Sequence, residues 1–374
     1  MEEIVKCENA LFEQVSRLID EARNHVRTAV NTTMVYTYYG VGQYIVEYEQ
    51  DGLERAEYGK AVLKDLSKRL TEKYGKGWTE DTLKRCRFFY KTYSSNTIGA
   101  TVLTKSDGQE KSATPLLISQ KEIGSTLLTQ SENTPKFTLS WSHYLVLMRI
   151  ENPDERSFYE IECRNQNWSV RQLQRQYNSS LYERLALSRN KDEVMRLAKE
   201  GQTIEKPSDL LKNPLTLEFL GLKPDAAYSE SKLEGAIISR IQTFLLEMGK
   251  GFLFEARQKR FTFDEDNFYV DLVLYNRLLQ CYVLIDLKID KLTHQDLGQM
   301  QMYVNYFDRY VRQPFEKPTV GILLCKEKND ALVELTLPKD ANVYASAYQL
   351  YLPDKALLQA KLKEWIEEFE QYES

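Results

Sequence analysis

The chain has 374 residues, 42% hydrophobic and 28% charged, with a formal net charge of −5. That length suits two domains of a soluble protein, and the mild acidity excludes a uniformly basic coat, leaving nucleic-acid contact to local patches. Five cysteines without a CxxC pair and only three histidines exclude a disulfide framework, a standard zinc spacing and a histidine-rich metal centre.

The N-terminus "MEEIVKCENA" has no apolar signal region, and no run approaches the roughly 18 apolar residues of a membrane span, so a cytoplasmic location is expected. Residues 1 to about 93 carry helical stripes, first at Leu11, Val15, Leu18, Ile19 and Ala22, then at Val62, Leu63, Leu66 and Leu70. Gly75 and Gly77 end the second stripe; Thr79 is the expected cap of the next helix, with Glu80 and Asp81 in its first turn. Residues 94–136 are rich in Ser, Thr, Gln and Gly, contain no aromatic residue, and read as an insertion. Helical patterning resumes in "LSWSHYLVLMRI", "NPDERSFYEIECRNQ" and "WSVRQLQRQY", with Asn152 or Asp154 and then Ser169 as caps. Residues 1–190 therefore read as a helical domain.

Two basic helix faces stand out in it. Lys84, Arg87 and Lys91 fall at i, i+3 and i+7, and Arg171 and Arg175 align beside Gln172 and Gln176. Such a face is either simply solvated or suited to phosphates and base edges.

Residues 191–230, with Pro207, Pro214 and Pro224, read as a linker. From 231 to 374 the texture changes. "SKLEGAIISRIQTFLLEMGKG" predicts one amphipathic helix ending at Gly249 and Gly251, followed by three strands, a helix, two strands and a closing helix. That order predicts an α/β domain with a mixed sheet.

The hairpin "FYVDLVLYNRLLQCYVLIDLKID" puts acids into what reads as the most buried sheet. If Asn276 pairs with Cys281, Asp271 lies opposite Asp286, where Cβ atoms are about 4.5–5.5 Å apart and like charges repel. Lys288 projects from the same face as Asp286, and Glu234 lies on the apolar helix face of Ile237, Ile238 and Ile241. A one-residue slip would separate the aspartates, leaving one exposed and the other paired with Lys288. Three acids gathered near one lysine instead call for a cation, and oxygen ligands favour Mg²⁺ or Mn²⁺. The chemistry implied is metal-assisted phosphodiester hydrolysis.

These residues resemble the PD-(D/E)xK nuclease pattern, and Gln299 and Tyr303 in "GQMQMY" match the QxxxY arrangement of its RecB-like members. "FEARQKRF", "LGQMQMYVNYFD" and "PTVGILLC" narrow the resemblance to the YhcG-type group, whose helical half is similar to "GWTEDTLKRCRFFYKTY" and "NQNWSVRQLQRQYNSSLYER". The resemblance implies a helical, winged-helix-like N-terminal domain and a restriction-endonuclease-like mixed-sheet C-terminal domain. It implies Asp271 and Asp286 as metal ligands, Glu234 as outer ligand or orienter, and Lys288 as the water-activating or charge-stabilising lysine. Gln258 and Gln299 would face the site, and Tyr303 would position substrate. Asp286 stands where glutamate is commoner, which shortens that arm and could change metal preference.

The expectation is a Mg²⁺- or Mn²⁺-dependent DNA endonuclease serving genome defence, recombination or mobile-element processing. Its partners would be DNA through Lys84, Arg87, Lys91, Arg171 and Arg175, a second copy of itself, and a protein that restrains it. The rivals are a catalytically silent module that binds nucleic acid or protein, and an enzyme acting on structured RNA or a branched junction.

Overall fold

In the computed structural model the described residues are 2–51, 56–99, 135–187, 191–212, 214–223, 228–338 and 340–372. Most of the expected insertion, residues 100–134, lies outside them. The chain forms two compact units, Met1–Arg156 and Ser157–Ser374.

The first unit holds α1 (Glu2–Asp51), α2 (Ala56–Tyr74), α3 (Glu80–Gly99), α4 (Trp141–Leu147) and the start of α5 (Pro153–Gln166). Local chemistry sets the helix starts. Thr79 Oγ1 accepts from Thr82 N at 3.3 Å, and Asn152 Oδ1, rather than Asp154, caps α5 by accepting from Asp154 N and Glu155 N at 2.8 and 3.2 Å. The core is aromatic: Phe89 has Tyr93, Phe137, Trp141 and Tyr144 at centroid distances of 4.9–5.2 Å. α1 and α3 approach so closely at Gly42 that a Cβ there would lie 2.1 Å from the Cys86 carbonyl oxygen. The described residues of this unit contain helices and no strand, so the wing of a winged helix is not among them. α3 also runs six residues past the expected boundary at 93, to Gly99.

The second unit continues through α6 (Val170–Asn178), α7 (Leu181–Ala186), α8 (Lys191–Glu200) and β1 (Leu215–Thr216). It goes on with α9 (Glu230–Ser239), α10 (Ile241–Met248), β2 (Phe252–Phe263), β3 (Asp266–Asn276) and β4 (Cys281–Lys291). The last elements are α11 (His294–Tyr306), β5 (Val320–Glu327), α12 (Asp330–Thr336), β6 (Val343–Gln349) and α13 (Lys355–Tyr372). The sheet has the order β1-β6-β5-β4-β3-β2, antiparallel from β2 to β4 and parallel beyond. It is the mixed sheet the sequence predicts. One face packs on Leu233, Ile237 and Phe244 of α9 and α10, the other on Leu297, Met300 and Tyr303 of α11. β4 is covered on both faces, which explains its nearly continuous apolar run.

The expected pairing of Asn276 with Cys281 is present, and Asn276 Oδ1 holds the turn by accepting from Leu278 N and Leu279 N at 3.0 and 3.1 Å. Two expectations differ. The single helix from 231 is two, broken at Arg240 (φ −126°, ψ 29°). The segment 191–230 is folded: β1 extends the sheet beside β6, and Leu210, Leu215 and Leu217 enter the core.

A buried charge network holds this segment and α7 to α10. Glu247, fully buried, receives Arg184 Nη1 at 2.6 Å, Arg175 Nη1 at 2.9 Å and Thr216 N at 3.0 Å, while Lys212 Nζ donates to its carbonyl. Burial alone would raise the Glu247 carboxyl, but Arg184, Lys212 and Arg175 outweigh it and hold the group at about 2.

Candidate active site

The site lies where the β2–β3–β4 ladder opens. Val270 and Leu272 are two residues apart yet pack into opposite cores, so β3 changes face across Asp271. The cause lies next door. Gln258 sits in the left-handed region (φ 46°), and the β2–β3 ladder skips it between Arg257↔Leu272 and Lys259↔Val270. A left-handed glutamine costs on the order of 1–3 kcal/mol and is a mark of functional backbone.

That turn gives Gln258 its contacts. Its Nε2 donates to Asp271 Oδ1 at 2.9 Å and to Glu234 Oε2 at 2.8 Å, joining a strand carboxylate to a helix carboxylate. The other Asp271 oxygen accepts from Leu287 N at 2.8 Å, fixing the carboxylate beside β4 one residue beyond the last β3–β4 pair, Leu272↔Ile285.

Asp286 follows Leu284 on the α11 face of β4 and is 4% exposed. Burial and the nearby Asp271 push its carboxyl well above the ordinary aspartate range, and Lys288 opposes them without cancelling them. Lys288 Nζ lies 2.9 Å from Asp286 Oδ2, so this buried oxygen is met by the ammonium as an ion pair. Glu234 Oε1 lies in turn 3.1 Å from Arg257 Nε, without hydrogen-bond alignment. Burial lowers the Lys288 pKa, but Asp286, Glu230 and Asp296 outweigh it and keep the ammonium protonated.

α11 supplies the far wall. Gln299 Nε2 donates to Tyr303 Oη, and Tyr303 is buried against the sheet. Asp296 lies 3.6 Å from Lys288 while also forming the capping box with Thr293 that starts α11. The structure thus gathers Asp271, Asp286, Lys288, Glu234 and Gln258 through direct contacts, with Gln299 and Tyr303 beside them.

Two further site residues are Asp296 and Glu230. Glu230 opens α9; partial burial raises its carboxyl, Lys288 and the Ile289 backbone pull against that, and Asp271 adds to it. Its spacing of four before Glu234 is the signal that could have found it.

Among the described residues no group of three or more His, Cys, Asp or Glu side chains is arranged to hold a metal ion. The donors still fit a hard cation. Asp271 and Asp286 offer two nearby carboxylates whose mutual repulsion the Lys288 ammonium does not cancel, and Mg²⁺ commonly takes one or two carboxylates and completes its shell with water and phosphate.

The expected DNA-facing residues divide. Arg171 is exposed on α6, and Lys91 is exposed on α3. Lys84 pairs with Glu80 and Arg87 with Glu49, each at 2.7 Å. Arg175 is a correction. It is turned inward, paired with Glu247 and with Glu218 Oε1 at 3.3 Å, and its Nη2 donates to the Thr216 carbonyl, so it holds the fold rather than facing DNA. No helix among the described residues is long and apolar enough to cross a membrane.

Comparison with known proteins adds the following. A family model described as the YhcG PDDEXK nuclease domain matches residues 208–363, and one described as the DUF1016 N-terminal domain matches 14–184. The Escherichia coli (strain K12) protein named "Putative nuclease YhcG" is 37% identical over 370 residues, 97% of this chain and 96% of its own. A repair endonuclease from Pyrococcus abyssi aligns over 34% of this chain and 50% of its own, at 20% identity and a TM-score of 0.23.

Proposed function

Because the chain belongs to the YhcG family, whose C-terminal part is a PDDEXK nuclease domain, we propose that it is a divalent-metal-dependent endonuclease that hydrolyses DNA phosphodiester bonds. The observation that carries this reading is Asp286. A carboxylate 4% exposed, met by one ammonium and crowded by a second aspartate, is costly as structure alone and useful as a ligand.

Asp271 and Asp286 would hold the ion, which supplies polarisation of the phosphate and acidification of water when bound. The chain's own groups do the rest. Gln258 and the Leu287 amide fix both oxygens of Asp271, so that carboxylate is already oriented before substrate arrives. Lys288, kept charged by three carboxylates, can donate to the attacking water or to the phosphate oxygen where negative charge grows. Glu234 anchors Gln258, and the Gln299–Tyr303 pair walls the site. Arg171, Lys91, Lys84 and Arg87 are the proposed phosphate contacts, and cutting both strands would bring two copies of the centre together.

The test is incubation of the purified chain with linear, circular, single-stranded and branched DNA in Mg²⁺, Mn²⁺ or EDTA. Cleavage with either metal and none in EDTA is expected. Intact DNA under every condition would leave the silent binding module as the better reading.

A further inference from the structure

One flank of α11 faces the active site, and another carries a cleft of about 290 Å³ that the catalytic reading does not use. Its walls are aromatic. Phe261 stacks on Phe268 (5.4 Å, 25°) and on Tyr306 (4.0 Å, 21°), and Tyr306 meets Tyr310 at 5.1 Å. The outermost rings are not covered: Phe263 is 51% exposed and Tyr310 63%. Uncovered rings beside a cleft offer a face on which a flat ligand can stack.

Two polar features say what kind of ligand fits. The Gln301 carbonyl oxygen is buried without a hydrogen-bond partner, although its Nε2 donates to Asn305 Oδ1 at 3.2 Å, and both residues line the cleft. Arg309, also lining it, is exposed and makes no ion pair with the described residues. Arg309 and Tyr310 are presented by a π-turn, Phe307–Val311, a rare backbone form that concentrates at functional sites. A flat aromatic ligand with polar edges and a phosphate attached satisfies both polar features. Gly298, with nothing within 4 Å of a Cβ built on it, leaves the cleft open at the helix start.

We propose that this cleft binds an unpaired nucleobase of the DNA substrate, stacked between Phe263 and Tyr310, with the Gln301–Asn305 pair on its edge and Arg309 on its phosphate. The cleft communicates with the catalytic centre through Phe261, whose ring meets Tyr303 edge-on at 5.5 Å. A helix diameter of about 10 Å separates the two flanks of α11, so the flipped or single-stranded base sits close to the bond being cut. The substrate is then DNA with an unpaired nucleotide near the cleavage point rather than uninterrupted duplex. This rests on the nuclease reading for the identity of the substrate, not for the binding itself.

The test measures binding of the full chain, in EDTA, to a duplex with one unpaired thymidine and to the same duplex with an abasic site at that position. The base is expected to tighten binding roughly tenfold, as one stacked base does. Tyr310→Ala and Phe263→Ala should each remove most of that preference, Tyr310→Phe should keep it, and thermal melting checks that the variants are folded. Equal affinity for base and abasic DNA in the unaltered chain, or a preference untouched by both alanine variants, overturns the proposal. Cleavage of the same DNAs in Mg²⁺ is scored separately. Cleavage without base preference overturns this proposal alone, and base preference without cleavage overturns the nuclease reading alone.

Discussion

Gln258 and Asp271 face each other at the one place where the β2–β3 ladder skips a pair between Arg257 and Lys259, and the amide donates to the carboxylate at 2.9 Å. The left-handed backbone of Gln258 is the cost of that contact. Gln258→Ala keeps the strain and loses the contact, whereas Gln258→Gly loses both. The glycine variant should therefore be more stable than the alanine variant by about 1 kcal/mol, with cleavage reduced at least about tenfold in both. Denaturant melts and initial rates check this; an alanine variant as stable as the glycine variant would show that the backbone there is relaxed.

Glu247→Gln removes the buried carboxylate that Arg184 and Arg175 share, and a loss of about 3–5 kcal/mol is expected. The pH dependence has a defined sign. The folded pKa, about 2, lies below the ordinary 4.5, so the stabilisation is complete above 4.5 and drains away as pH falls toward 2. Urea midpoints measured across that window should fall more steeply for the unaltered chain than for Glu247→Gln.

Arg171 and Arg175 should behave oppositely. Arg171→Ala should weaken DNA binding and flatten its salt dependence while leaving the melting temperature in place. Arg175→Ala should lower the melting temperature, because it leaves Glu247 and Glu218 short of a partner. Anisotropy titrations at two salt concentrations, beside a thermal melt of each variant, separate the two roles.

Gly42→Ala would ordinarily favour a helix by about 1 kcal/mol. Here the new methyl would meet the Cys86 carbonyl at 2.1 Å, so the sign reverses and a loss of about 2 kcal/mol is expected. Calorimetry of the full chain reads it directly; a rise in melting temperature would show that α1 and α3 can separate at no cost.

Much of the centre was legible because strand arithmetic is strict. Once Asn276 pairs with Cys281, the places of Asp286 and Lys288 follow from alternation along β4, whereas Asp271 lies beyond the last β3–β4 pair, where β3 changes face, and alternation does not place it. Gln299 and Tyr303 were legible through the resemblance to the QxxxY arrangement, whose spacing of four puts both on one helix face. What stayed hidden depends on partners distant in sequence. Arg175 sits on a helix that reads as solvent-facing, and its acid, Glu247, is 72 residues away. Pro207 and Pro214 suggested a linker, yet Pro207 opens a 3-10 turn and the leucines between and after them fill the core. Asp296 was hidden by its second task as a helix cap, and the left-handed turn at Gln258 has no glycine or asparagine to announce it.

The most direct test is the cleavage rate of one DNA substrate, in Mg²⁺, by the unaltered chain, Asp286→Asn and Lys288→Met, with circular dichroism showing each variant folded. Both substitutions keep side-chain size close to the original, so a fall of about a hundredfold or more in each is the expected result. Rates within a few-fold of the unaltered chain would contradict the assignment of this acid–lysine pair as the hydrolytic centre.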